Sequence, residues 1–136
     1  WAWGSLDSVE IVKLHNKKIT LAPTDLANFL GCRHQTSLDL AAVNGGEKRP
    51  ARYGPMIDAL REKGMAHEQA YLEQLKASGL TVSEPSGDES PSTGKERTLE
   101  AMQSGADVIF QAGLSDDTWS GWADFLKKVD TPSVLL

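Results

Sequence analysis

The stretch from Val108 to Leu126 constrains the fold more than any other part of the chain. Val108-Ile109-Phe110-Gln111-Ala112-Gly113-Leu114 is a run of β-formers, Ser115-Asp116-Asp117-Thr118 is a polar break, and the apolar pattern resumes from Trp119 to Leu126. Two such runs joined by four residues predict an antiparallel hairpin. Alternation along the second run puts Trp122 and Asp124 on one face and Ala123 and Phe125 on the other. A carboxylate among apolar neighbours is costly to bury unless a cation or a donor satisfies it, so Asp124 stands out.

Helical patterns fill the chain before the hairpin. Thr24 is expected to cap a short helix, Asp25 to Leu30, with Asp25 suiting its positive end and Gly31 stopping it. A second helix is expected over about Gln35 to Val43, with Leu38, Ala41 and Ala42 on one side, before Asn44-Gly45-Gly46 breaks it. The longest helix follows Pro55 and stops at Gly79. Leu60, Gly64, His67, Tyr71 and Leu75 fall at three- and four-residue steps on one face of it. Gly64 costs about 1 kcal/mol in propensity against Ala, which points to close packing or a kink there.

Elsewhere the signals are shorter. Val9, Ile11 and Val12 suit a short strand, and so do Leu80-Thr81-Val82. Residues 85–97, rich in Pro, Ser, Gly and charge, read as a mobile loop, followed by a helix from about Lys95 to Ser104 with Leu99 and Met102 inward. Helices then a hairpin, with no βαβ alternation, define an α+β class.

Length and charge exclude several functions. At 136 residues the chain fits one domain or part of one, and no apolar run approaches the roughly 20 residues of a transmembrane helix, so no membrane partner is expected. Trp1 to Ser8 has no signal-peptide pattern, and a single cysteine, Cys32, forms no internal disulfide, so a cytoplasmic setting is the expectation. A first residue of Trp rather than Met points to a start inside a longer protein or behind foreign residues, with 1–20 as an N-terminal extension. The net charge of −5 argues against clamping nucleic acid by bulk electrostatics. That charge is uneven: residues 1–80 carry ten Lys+Arg against nine Asp+Glu, and residues 81–136 four against ten. The acidic end either repels phosphates or holds metal ions that invert the local field.

Most sharp motifs fail. Gly94-Lys95 lacks the earlier Gly and the following Ser or Thr of a phosphate loop, no Gly-x-Ser-x-Gly occurs, and Cys32-Arg33-His34 is half a zinc site at most. Lys48, Arg49 and Arg52 form a basic loop that is either simply solvated or a phosphate contact on DNA. His67 is either a core histidine or a ligand, and Asp124 either a turn carboxylate or its partner.

Four blocks in order carry a resemblance: Pro23-Thr24-Asp25-Leu26-Ala27-Asn28-Phe29-Leu30-Gly31-Cys32-Arg33-His34, then Gly64-Met65-Ala66-His67-Glu68, then Ala106-Asp107-Val108-Ile109-Phe110-Gln111-Ala112, then Gly121-Trp122-Ala123-Asp124-Phe125-Leu126. Together they resemble the opening of a RecB-like nuclease domain of the PD-(D/E)XK superfamily, over about Leu21 to Ser133. The resemblance implies that residues 21–136 form the N-terminal part of such a domain, within an α/β nuclease core, acting on DNA by phosphodiester hydrolysis. Gly64 and His67 approximate the helical Gly-x-x-x-His motif with the gap one residue shorter, and Gly121 and Asp124 match the strand motif Gly-x-x-Asp. By resemblance His67 and Asp124 are catalytic ligands of Mg²⁺ or Mn²⁺, and Glu68 and Gln111 second-tier site residues. Cys32 sits where some members place the first cysteine of an iron–sulfur cluster. Four thiolates are usual, so a cluster is expected only in a fuller parent protein; the alternative is a small buried thiol.

Two departures qualify the match. Trp122 stands where members often carry Arg, and the third motif, Asp/Glu-x-Lys, is missing: no lysine of the chain has an acidic residue two positions before it. The chain ends about where the strand bearing that motif is expected, which implies a fragment inactive alone. A hairpin cut before its neighbouring strand is expected to dimerise or exchange strands through residues 106–126, with Trp119 or Trp122 in the contact. The rival expectation is a non-catalytic protein- or nucleic-acid-binding module.

Overall fold

A computed structural model describes residues 12–15, 17–46, 54–84, 90–131 and 134. Lys48, Arg49 and Arg52 lie outside the described residues, as do Val9 and Ile11. The elements run β1 (Lys13–His15), β2 (Lys18–Thr20), α1 (Pro23–Gly31), α2 (Arg33–Val43), α3 (Pro55–Ala77), β3 (Val82–Ser83), α4 (Pro91–Gln103), β4 (Val108–Ser115) and β5 (Ser120–Lys127). The fold is mixed α and β, and the antiparallel hairpin is present as β4–β5. Its connection is four residues long, shifted by one. Asp116 closes it: its Oδ1 accepts from the N–H groups of Thr118 and Trp119, both at 2.6 Å.

The class is nonetheless richer than helices followed by a hairpin. β3 pairs parallel with β4, Val82 against Val108 and Ser83 against Ile109, so β3–α4–β4 is a βαβ unit. Two residues of strand are too few to show a period, which is why no alternation was legible. Asp107 fixes this junction, its carboxylate accepting from Thr81 N–H at 2.8 Å while its own N–H donates to Thr81 O.

Helix starts differ from expectation for identifiable reasons. α1 begins at Pro23, with Asp25 rather than Thr24 acting at its start. Asp25 is buried, and its carboxylate accepts from Ala22 N–H at 2.7 Å and from Val12 N–H at 3.0 Å. α4 begins at Pro91, not Lys95: Ser90 caps it through Thr93 N–H, and Pro91 occupies the first turn, where its missing N–H costs nothing. Residues 91–97 are therefore helix rather than loop. Gly64 has open space around its Cβ position within the continuous helix α3, so close packing does not explain it.

The core forms around β4. Val108, Ile109 and Ala112 are buried, and Ala101 of α4 joins them with Ala106, Ala123 and Leu126 packed alongside. α4 approaches by small residues: Gly94, Thr98 and Ala101 are buried, whereas Leu99 and Met102, expected inward, are exposed. The closest point is Gly94 over Gly113. A Cβ on Gly113 would lie 2.7 Å from the Gly94 carbonyl carbon and 2.9 Å from Pro91 O. Trp122 covers Gly94 so closely that a Cβ there would lie 2.6 Å from the indole.

The face of α3 that is buried carries Leu72 and Leu75, not the whole stripe from Leu60; Leu60 itself is exposed. Leu38 of α2 is likewise exposed, and the residue buried there is Asp39. Tyr71 meets Phe125 edge-on at 5.0 Å, and Phe125 pairs across the hairpin with Phe110. At the far end of α3, Lys76 bridges to Glu84 at 2.7 Å, beside β3.

Residues 12–15 and 17–21 touch this body through Val12, buried and donating to Asp25, through Lys18, 3.3 Å from Asp117, and through Leu21, which bridges Trp119 in parallel, donating to Thr118 O and accepting from Ser120 N–H, each at 2.8 Å. A Cβ on Gly121 would lie 3.0 Å from Pro23, so glycine at the head of Gly-x-x-Asp lets α1 lie against β5. Among the described residues, β5 is one of the sheet's two edge strands, with Leu21 bridging only Trp119 beside its start. No helix among the described residues is long and apolar enough to cross a membrane.

Candidate functional site

The residues singled out in the third and fourth blocks meet those of the second at one point. Glu68 lies on α3, Gln111 in the middle of β4 and Asp124 in the middle of β5. The Gln111 side-chain amide donates to Glu68 Oε2 at 3.2 Å and to Asp124 Oδ1 at 3.5 Å. Two carboxylates distant in the sequence are thus tied to a single amide nitrogen.

The hairpin is distorted to allow this. Phe110 pairs with Phe125 and Ala112 with Ala123, leaving Gln111 opposite Asp124 where the ladder has no pair. Gln111 adopts φ +52°, a left-handed conformation that non-glycine residues rarely take in a strand. Strict alternation fails with it. Trp122 packs on Gly94 of α4, whereas Asp124, expected on the same face, is bonded to the amide that reaches Glu68 of α3.

The Glu68 carboxyl is shifted by its surroundings. Partial burial and then the Asp124 charge raise the Glu68 carboxyl above the ordinary glutamate range, opposed by the Gln111 hydrogen bond and by His67. Desolvation and a like charge both disfavour the ionised form. His67 itself is exposed, and among the described residues no hydrogen bond joins it to Asp124. Glu68, a second-tier expectation, is the residue whose carboxyl senses both. A sequence signal for it existed: Glu68, Leu72 and Leu75 form a three- and four-residue stripe, and this is the stripe that faces inward.

Among the described residues no three His, Cys, Asp or Glu side chains are grouped closely enough to hold a metal ion. What converges is two carboxylates and an amide. The amide nitrogen lies between the two carboxylates.

Other expected features lie apart from this cluster. Cys32 is exposed at the junction of α1 and α2, so it is not a buried thiol. A groove of about 630 Å³ lies by the hairpin turn, lined by Ser92, Lys95, Ser115, Asp116, Asp117 and Thr118, and does not include the Gln111 cluster. No family model, curated protein or solved structure matches the chain.

Proposed function

We propose that the chain is part of a metal-dependent DNA nuclease of the RecB-like kind, hydrolysing phosphodiesters in its parent protein. The observation that carries this reading is the Glu68–Gln111–Asp124 cluster, in which three of the four residues implied by the resemblance meet at one amide. By the resemblance His67 and Asp124, with Glu68 beside them, would hold Mg²⁺ or Mn²⁺, which would polarise a scissile phosphate and lower the pKa of an attacking water; the three are not grouped as a metal site among the described residues, so the ion would have to draw them together. Glu68 and Asp124 would supply the negative charge that attracts the ion, with the left-handed Gln111 joining Asp124 to Glu68 of α3.

The sequence contains no Asp/Glu-x-Lys, so the 136-residue chain by itself is expected not to cleave DNA above background. An absent electrostatic group of that type typically costs about 10²–10³ in rate. The test is a nuclease assay with Mn²⁺ on linear single- and double-stranded DNA. A gene product that continues past Leu136 into an Asp/Glu-x-Lys segment is expected to cut, and His67→Ala or Asp124→Ala to abolish cutting. Such a product that never cuts, or cuts equally well in both variants, overturns the reading.

A second reading, a non-catalytic module that docks a protein or a second copy, draws on the exposed Leu30, Leu38 and Leu60 and on the open edge of β5. Light scattering tests that pairing. A stable monomer at high concentration counts against pairing through β5.

A further inference from the structure

We infer that Asn44-Gly45, at the end of α2, is a site of spontaneous deamidation, where the chain converts its own Asn44 to aspartate and isoaspartate and so loosens the cap that had slowed the reaction. The inference is independent of the metal-binding reading above.

It stands on the chemistry of the pair and on how the fold holds it. Asn44 is exposed and is the one asparagine of the chain followed by glycine, a neighbour with no side chain to hinder attack by its backbone nitrogen. The pair closes α2 as a Schellman cap: Gly45 sits at φ +92° with its N–H donating to Ala42 O at 3.2 Å, and Gly46 N–H donates to Ala41 O at 2.8 Å. The Asn44 side-chain amide is held too, its Nδ2 donating to Leu40 O at 2.7 Å. Nucleophile and leaving group are thus both tied to carbonyls of the last turn of α2. The reaction waits for that turn to fray.

When it does, Gly45 N loses its proton and bonds to Asn44 Cγ, the Cγ–Nδ2 bond breaks, and the side-chain nitrogen leaves as ammonia with that proton. Water then opens the cyclic imide. Opening at Cγ gives aspartate; opening at the Asn44 backbone carbonyl gives isoaspartate, with the main chain rerouted through the former side chain. Either product loses the donor to Leu40 O and sets a carboxylate at the negative end of the helix. Isoaspartate also lengthens the main chain inside a tight cap, where a Cβ on Gly46 would lie 2.8 Å from Ala41 O.

The test incubates the 136-residue chain at neutral pH, in buffer and in guanidinium chloride, and maps it by peptide mass spectrometry. Conversion is expected at Asn44 rather than at Asn16 or Asn28, with both products present. It is expected to run about fivefold slower in buffer than in denaturant, the hold of roughly one net hydrogen bond. Asn44→Gln, whose ring closure would be six-membered and slow, is expected to end it. Asn44→Asp, which reproduces one product, is expected to melt below freshly purified wild type. Absence of conversion in buffer overturns the inference, and equal rates in the two samples overturn control by the cap. An Asn44→Asp chain with the wild-type Tm overturns the loosening of α2.

Discussion

The β4–β5 hairpin meets α3 and α4 by opposite means. α4 presents Gly94, Thr98 and Ala101, and its backbone comes down on Gly113 until no side-chain atom fits between them. α3 presents longer groups: Tyr71 edge-on to Phe125, and Glu68 to an amide and a second carboxylate. The first contact is apolar, dense and free of charge, as a contact serving stability is. The second contains like charges and a strained residue, features that lower stability. Polar and charged contacts are concentrated on the α3 side and close apolar packing on the α4 side.

If that division holds, damage to the α4 contact gives the largest loss. Gly113→Ala sets a methyl against the backbone of Gly94 and Pro91, which cannot move aside as a side chain does, so a loss of about 3 kcal/mol is expected in urea denaturation. Gly94→Ala meets the Trp122 ring instead and is expected to cost less, with Trp122 fluorescence changed. A Gly113→Ala chain as stable as wild type breaks the comparison at its stronger side.

Asp25 comes next. It is buried and accepts two backbone N–H groups that tie Val12 and the start of α1 together. Asp25→Ala removes the carboxylate that accepts from both, and a cost of about 2 kcal/mol is expected in the same assay.

Smaller effects belong to the α3 side, and they run in the stabilising direction. Gln111→Gly is expected to be about 1 kcal/mol more stable than Gln111→Ala, because glycine takes the left-handed conformation without strain. The Glu68 carboxyl has a raised pKa in the folded chain, so the native state holds this proton more tightly than the unfolded chain does. Its contribution to stability is therefore fullest at low pH and declines as pH rises from the ordinary glutamate value, about 4.3, through the folded value. Glu68→Gln is expected to flatten that decline in urea titrations between pH 4 and 7. An identical pH profile in wild type and variant contradicts the coupling of Glu68 to Asp124.

The sequence made the local features legible and hid the ones that depend on contact. The β4–β5 hairpin and the length of α3 could be read because strand formers, the polar turn, Pro55 and Gly79 act over a few neighbours. α4 was misplaced at its start because Ser90-Pro91 and Gly94 look like loop residues until their capping and packing roles are seen. The inward face of α3 was misjudged because hydrophobicity favoured the Leu60–Tyr71 stripe, whereas a charged residue, Glu68, leads the buried one. The β1–β2 hairpin, with Lys17 at φ +64°, and the left-handed Gln111 carry no glycine to announce them. In the site, His67 and Asp124 were expected as the pair, while Gln111 joins Asp124 to Glu68 instead.

The most direct test of the central claim is calorimetric titration of Mn²⁺ into the wild-type chain and into the Glu68→Gln, Asp124→Asn double variant, with both shown by melting to be folded. A divalent-ion site built on these carboxylates predicts saturable binding in the wild type that disappears in the double variant. Equal binding in the two chains would contradict it.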